Sequence, residues 1–181
     1  MAEVLLFHHI QGLTEGVVAF ADELRASGHT VHAPDLFDGR TFDTIEGGFA
    51  YAQELGDAPD AKANSAADSL PEALVYAGFS WGVGSAQRLA QTRAGARGAL
   101  LYESCFPITG EYAFGPWPDG VPVQIHGRRT TSSSRTRATS TLRASWSGGL
   151  GLSWASCSST PVANTSSSIV RCRPTTPTLP R

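Results

Sequence analysis

Residues 75 to 90, VYAGFSWGVGSAQRLA, run from a β-favouring stretch through Gly78-Phe79-Ser80-Trp81-Gly82 into a helix-like segment, with one serine at the apex. A serine hydroxyl is a weak nucleophile until a general base takes its proton. A GxSxG turn between strand and helix lifts such a serine clear of the sheet, and its glycines are needed where a β-carbon would collide with neighbouring strands. The same turn aims the Trp81 backbone N–H at a reacting carbonyl, and the helix start adds positive potential there. Ser80 is therefore the candidate nucleophile. The bland alternative, a serine in an ordinary strand-to-helix turn, is disfavoured by the apolar strand before it and the helix pattern after it.

A nucleophile of this kind needs a sheet to project from. Val4-Leu5-Leu6-Phe7 is a continuous apolar run, as in a buried parallel strand. In VVAFADELRASG, Val17, Phe20, Ala21 and Leu24 recur at helical spacing, with Thr14 as the expected cap and Gly28 as the stop. HTVHAPDLF supplies a second strand ended by Pro34, and residues 43–56 a weaker helix containing Gly47 and Gly48. Residues 56–71, rich in Ala, Asp and Ser, are expected as loop with at most a helical turn. Further strands are expected over 73–79, 98–102 and 121–126, with a helix over 81–93. Strands alternating with helices imply an α/β fold in three layers, a parallel sheet covered by helices on both faces.

The local patterns FHHIQGL, SGHTVHAPDLFDGR, AGFSWG, RGALLYES and WPDGVPVQIHG occur in that order, nearly continuously over residues 3–127. In order and spacing they resemble the dienelactone hydrolase family of α/β hydrolases, whose members cleave small esters and lactones without a cofactor. The resemblance implies that Ser80 is the nucleophile and that Trp81 and Ile10 supply the two oxyanion-hole N–H groups. It also places His9 in the pocket, where the best-known members carry a glutamate; those members have cysteine in place of Ser80. His8 and His9, as neighbours on a strand, point to opposite faces and cannot share one metal site, so one is expected to pack in the sheet while the other lines the pocket. Asp35 precedes Ser80 and is read as structural.

In α/β hydrolases the acid and then the histidine follow the serine along the chain. Here no acidic residue follows Asp119 and no histidine follows His126. All 16 acidic residues and all five histidines lie in residues 1–127. Residues 128–181 hold eight arginines and 23 Ser or Thr, and the two parts carry about −10 and +8 charges. The fold is therefore expected to be incomplete at the C-terminus, with a core over 1–127 and a low-complexity tail over 128–181, disordered or out of frame.

A reading-frame slip near codons 127 to 129 accounts for the abrupt change. Joining the third base of each codon to the first two of the next, with permitted third bases chosen freely, lets Arg129 to Ser147 read DDEFFEDEGDLDAARELV. Ser156 to Ile169 can likewise read LFLYPGxEHLFxD, with x undetermined. An acidic helix-like segment and a histidine loop thus reappear in the order the resemblance calls for.

Composition bounds the remaining possibilities. No apolar run approaches a membrane span, and the opening MAEVLLFHHI lacks a charged leader and a cleavage site. Cys105, Cys157 and Cys172 show no metal or disulfide spacing, and free thiols fit a reducing, cytoplasmic setting. The expected partner is a small ester or lactone, with no metal, membrane or nucleic acid. The alternative is a non-catalytic α/β binding module whose basic tail contacts nucleic acid or another anionic partner; the tail has no Lys and few interleaved aromatics. Rescue of the serine by His9 or His126 is weakened by the lack of an acid to orient either ring.

Overall fold

The computed structural model describes residues 1–128, 156–161 and 167–173. Five strands run parallel: β1 (Glu3–Phe7), β2 (Thr30–His32), β3 (Leu74–Phe79), β4 (Gly98–Tyr102) and β5 (Val123–Arg128). They alternate with α1 (Glu15–Ala26), α2 (Ile45–Leu55), α3 (Ala58–Asp68) and α4 (Val83–Thr92). This is the expected α/β fold.

Side-chain alternation along the strands builds two cores. Leu5, Phe7, Leu74, Tyr76, Ala99 and Leu101 face one side, where Ala63 and Ala67 of α3 and Val83, Ala86, Leu89 and Ala90 of α4 close over them. Val4, Leu6 and Ala77 face the other, against Val17 and Ala21 of α1. Each such side chain, fully buried, contributes about 1.5–3 kcal/mol for the larger aliphatic and aromatic residues. The helices therefore cover both faces, and the central strands β1, β3 and β4 are largely apolar on both.

The strand order is β2-β1-β3-β4-β5-β7-β6. From β1 the chain moves outward to β2, then crosses back through α2 and α3 to place β3 on the other flank of β1, and continues away through β4 and β5. The strand order thus reverses between β1 and β3. In open parallel sheets the crevice beyond the carboxyl ends of strands at such a reversal is where ligands sit.

Two expectations differ from the structure. Residues 58–68 form a full helix, α3, instead of a loop. Its Pro59 occupies the first turn, where a missing N–H costs nothing, and its alanines have the highest helix propensity. The stripe that faces the core is made only of Pro59, Ala63 and Ala67, too small to stand out as an apolar period. In the C-terminal part, where no strand was expected, β6 (Ser156–Pro161) and β7 (Ser167–Arg173) form an antiparallel hairpin, with β7 paired to β5. The free edge of β5 offers a row of unpaired N–H and C=O groups, and Ile169 and Val170 are β-favouring residues at positions that pair with it. The rest of the expected disordered or out-of-frame tail lies outside the described residues.

Between β4 and β5 the chain is irregular, and one buried side chain holds it. Gln87 of α4 accepts a hydrogen bond from the Phe106 N–H (2.8 Å) and donates one to the Phe106 carbonyl (2.9 Å). Replacing Gln87 with Leu leaves both backbone groups without these partners. Urea unfolding of Gln87→Leu is expected to show a loss of about 1–3 kcal/mol, the cost of a buried group left unsatisfied.

Candidate active site

Ser80 begins a single 3-10 turn, Ser80–Gly82, that joins β3 to α4. Its φ is 48°, in the left-handed region that a residue with a β-carbon rarely adopts. The two glycines of the motif show what holds it there. A β-carbon on Gly78 would lie 2.5 Å from the Gly82 carbonyl oxygen. One on Gly82 would lie 2.7 Å from the Phe7 oxygen and 2.4 Å from that of His8. The turn is therefore wedged, backbone on backbone, against the end of β1, and Ser80 is left exposed at the apex.

Ile10 lies in the loop directly after β1, and Trp81 directly follows Ser80. Because Phe7 pairs with Gly78 in the parallel register, both sit at the same end of the sheet, at the reversal in strand order. The Ile10 side chain is buried, and its carbonyl carries α2: a β-carbon on Gly48 would lie 2.1 Å from the Ile10 oxygen. Gln11 fastens the same loop outward. Its side-chain amide donates to the Phe42 and Asp43 carbonyls at 3.0 and 3.1 Å, and its carbonyl accepts the Phe42 N–H at 3.0 Å. The Gly47-Gly48 pair inside a helix was the sequence signal for this close approach; Gln11 carried none.

His8 is the histidine that packs inside, with no exposed surface. The Leu36 N–H can only donate, so His8 Nε2, 3.1 Å away, accepts; Nδ1 then bears the proton and donates to the His9 carbonyl at 2.8 Å. The neutral ring stacks on Trp81 and meets the edge of Phe37. Burial holds its pKa below the ordinary imidazole value, opposed by the His9 carbonyl bond and by the Asp35 charge. Asp35 Oδ1 accepts the Phe37 N–H at 2.8 Å, and its other oxygen accepts the Gly39 N–H, so this carboxylate organises a turn.

His9 is half-buried. Its Nδ1 accepts the Gln11 N–H at 3.1 Å, so Nε2 carries the proton and donates to Thr14 Oγ1 at 3.1 Å. Both nitrogens are thereby engaged. Thr14 precedes α1 as expected, yet its hydroxyl serves His9 and makes no cap to the helix. Burial lowers the His9 pKa as well. His126 lies on β5 with its ring 4.6 Å from that of Tyr102.

Two strand tips carry strain side by side. Phe79 pairs with Tyr102, and the residues that follow each, Ser80 and Glu103, both have positive φ, 48° and 63°. Sequence reasoning passed over Glu103, because nothing in RGALLYES marks a left-handed residue. Backbone outliers of this kind gather at functional sites.

No family model and no curated protein matches the sequence. Solved structures similar to the chain include a dienelactone hydrolase-like promiscuous phosphotriesterase from metagenomic libraries, 21% identical over 55% of this chain and 46% of its own, with a TM-score of 0.46. A protein from Klebsiella pneumoniae subsp. pneumoniae, described as a dienelactone hydrolase, is 19% identical over 68% of this chain and 59% of its own, with a TM-score of 0.48. A protein named m3DLH is 26% identical over 56% of this chain and 47% of its own, with a TM-score of 0.47. The chain spans between 46 and 59% of the length of these proteins.

The strained serine and the neutral histidine each lead to a measurable outcome. Glycine tolerates the left-handed conformation, whereas alanine keeps the β-carbon. Ser80→Gly is therefore expected to be about 1 kcal/mol more stable than Ser80→Ala in denaturant unfolding. His8 has a folded pKa below its unfolded value, so the unfolded chain binds more protons in the window beneath about pH 6.5. The stability contribution is present above that pH and is lost as pH falls toward the folded pKa. The Tm should drop between pH 7.5 and 5.5, and His8→Gln, which keeps a donor and an acceptor without titrating, should reduce the drop.

Proposed function

We propose that this chain carries the nucleophile and the oxyanion hole of a serine hydrolase acting on small esters or lactones. One observation carries the reading: Ser80, strained and exposed, stands between two glycines that admit no β-carbon, at the carboxyl end of a parallel strand where the strand order reverses. A random serine in a loop has no reason to be held in that conformation against such packing.

In this reading the Ser80 hydroxyl attacks the ester carbonyl, and the Ile10 and Trp81 N–H groups receive the charge that develops on its oxygen. Acyl transfer of this type needs no cofactor. The chain supplies the other half of the machinery poorly. His9 spends both ring nitrogens on Gln11 and Thr14, and His8 spends both of its own on the backbone. Without a base the serine keeps its proton, and only the weak residual catalysis of oxyanion hole and binding is left. The acid and base are assigned to the alternative reading frame beginning near codons 127 to 129. The free thiol of Cys105 supports a cytoplasmic setting, and no helix of the described residues is long and apolar enough to cross a membrane.

The test compares two chains, this one and a version restored to the alternative frame, with p-nitrophenyl acetate and a fluorophosphonate. The restored chain is expected to turn over the ester and to label at Ser80, both abolished by Ser80→Ala. The chain as it stands is expected to be slower by about 10³-fold or more. Stop codons in the alternative frame of the coding DNA would overturn the frame assignment. A restored chain whose turnover survives Ser80→Ala would overturn the role of the serine.

A further inference from the structure

Beside the elbow lies a groove of about 370 Å³. Its walls are the Trp81 ring, Phe49 and Ala52 of α2, and Pro59 at the start of α3. Phe49 is 48% exposed, and Ile45, one turn earlier on the same helix face, is 54% exposed. Both are large apolar side chains left in water on α2, and Phe49 shares the groove with Trp81, the residue that follows Ser80. Gly48 is what brings them there, since its missing side chain lets α2 lie on the Ile10 carbonyl.

The charges that line this groove share one sign. Asp57 and Asp60 line it, and no Lys, Arg or His does. Arg88 reaches Asp60 from outside at 3.1 Å, and Ser85 donates to the same oxygen at 3.3 Å. Asp57 makes no side-chain cap at the start of α3, and no cation pairs with it among the described residues. A ligand carboxylate brought here would meet Asp57 and Asp60 with no guanidinium or ammonium in the lining to receive it, since Arg88 is engaged by Asp60 and Asn64.

We infer that this groove is the subsite for the organic group of the substrate, and that it selects apolar esters or lactones that are uncharged or cationic and rejects those bearing a carboxylate. The inference rests on the proposed function for its chemistry, since it is Trp81 that joins the groove to Ser80. Apolar contact with Phe49 and Trp81 provides the affinity, and the acidic rim provides the choice.

Binding, separate from turnover, tests it. Three probes of similar ring size, hydrocinnamamide, benzyltrimethylammonium and hydrocinnamate, are titrated into the full chain at low ionic strength, with Kd read by ligand-observed NMR. The amide and the cation are expected to bind, and hydrocinnamate to bind at least about ten-fold more weakly, a gap that narrows in high salt. Phe49→Ala, a half-exposed position whose truncation spares the core, should weaken the amide about ten-fold. Asp57→Asn should narrow the gap between amide and carboxylate several-fold. Equal affinity for hydrocinnamate, no binding by any probe, or amide binding indifferent to Phe49→Ala would each overturn the inference. The probes bind without covalent chemistry, so this ranking is decided independently of Ser80, whose failure as a nucleophile would show as absent phosphonate labelling in the restored chain.

Discussion

The fold of this protein depends on places where backbone meets backbone with nothing between. Gly82 rests on the carbonyls that end β1, Gly78 on the carbonyl of Gly82, and Gly48 on the carbonyl of Ile10. Each contact is closer than any β-carbon tolerates. Together they seat the start of α4, the tip of β1 and the middle of α2 on one another, leaving Ser80 nowhere to relax. Strain at a single residue costs about 1–3 kcal/mol and persists only when the surroundings over-determine it. Here the surroundings are two strands and two helices.

Around this knot, aromatic rings carry position from the elbow to the neighbouring loops. Trp81 contacts His8 and Phe37, Phe37 contacts Phe42 and Tyr51, and Arg40 lies over the Tyr51 ring. Edge-to-face and tilted pairs of this kind each add about 0.5–1.5 kcal/mol beyond the area they bury. The neutral state of His8 belongs to the same assembly. Its Nε2 bond to the Leu36 N–H ties the end of β1 to the loop carrying Phe37, and a proton on Nε2 would set N–H against N–H there. The web is apolar by composition but is registered by that one polar ring.

Much of this was legible in the residues. The continuous apolar run at 4–7, the strands expected over 73–79 and 98–102 and the helical spacing of Val17, Phe20, Ala21 and Leu24 announced the alternating elements, because burial on both faces or on one leaves different patterns. The elbow could be read because its chemistry demands glycine at two fixed offsets. Helix α3 could not, since a core-facing stripe of proline and alanine has too little apolar contrast. The left-handed conformation of Glu103 was hidden because glutamate gives no sign of positive φ. The Leu36 partner of His8 was hidden because it is set by a loop from a distant part of the chain.

The margins of the sheet matter beyond the site. At one side β2 has only three residues, and a His32–Glu3 pair at 2.9 Å bridges it to β1. At the other, β6 ends in Pro161, which brings no amide hydrogen to an outer ladder. A short strand and a proline both make poor templates for further pairing. Both margins of the described sheet are therefore blunted against the addition of a further strand.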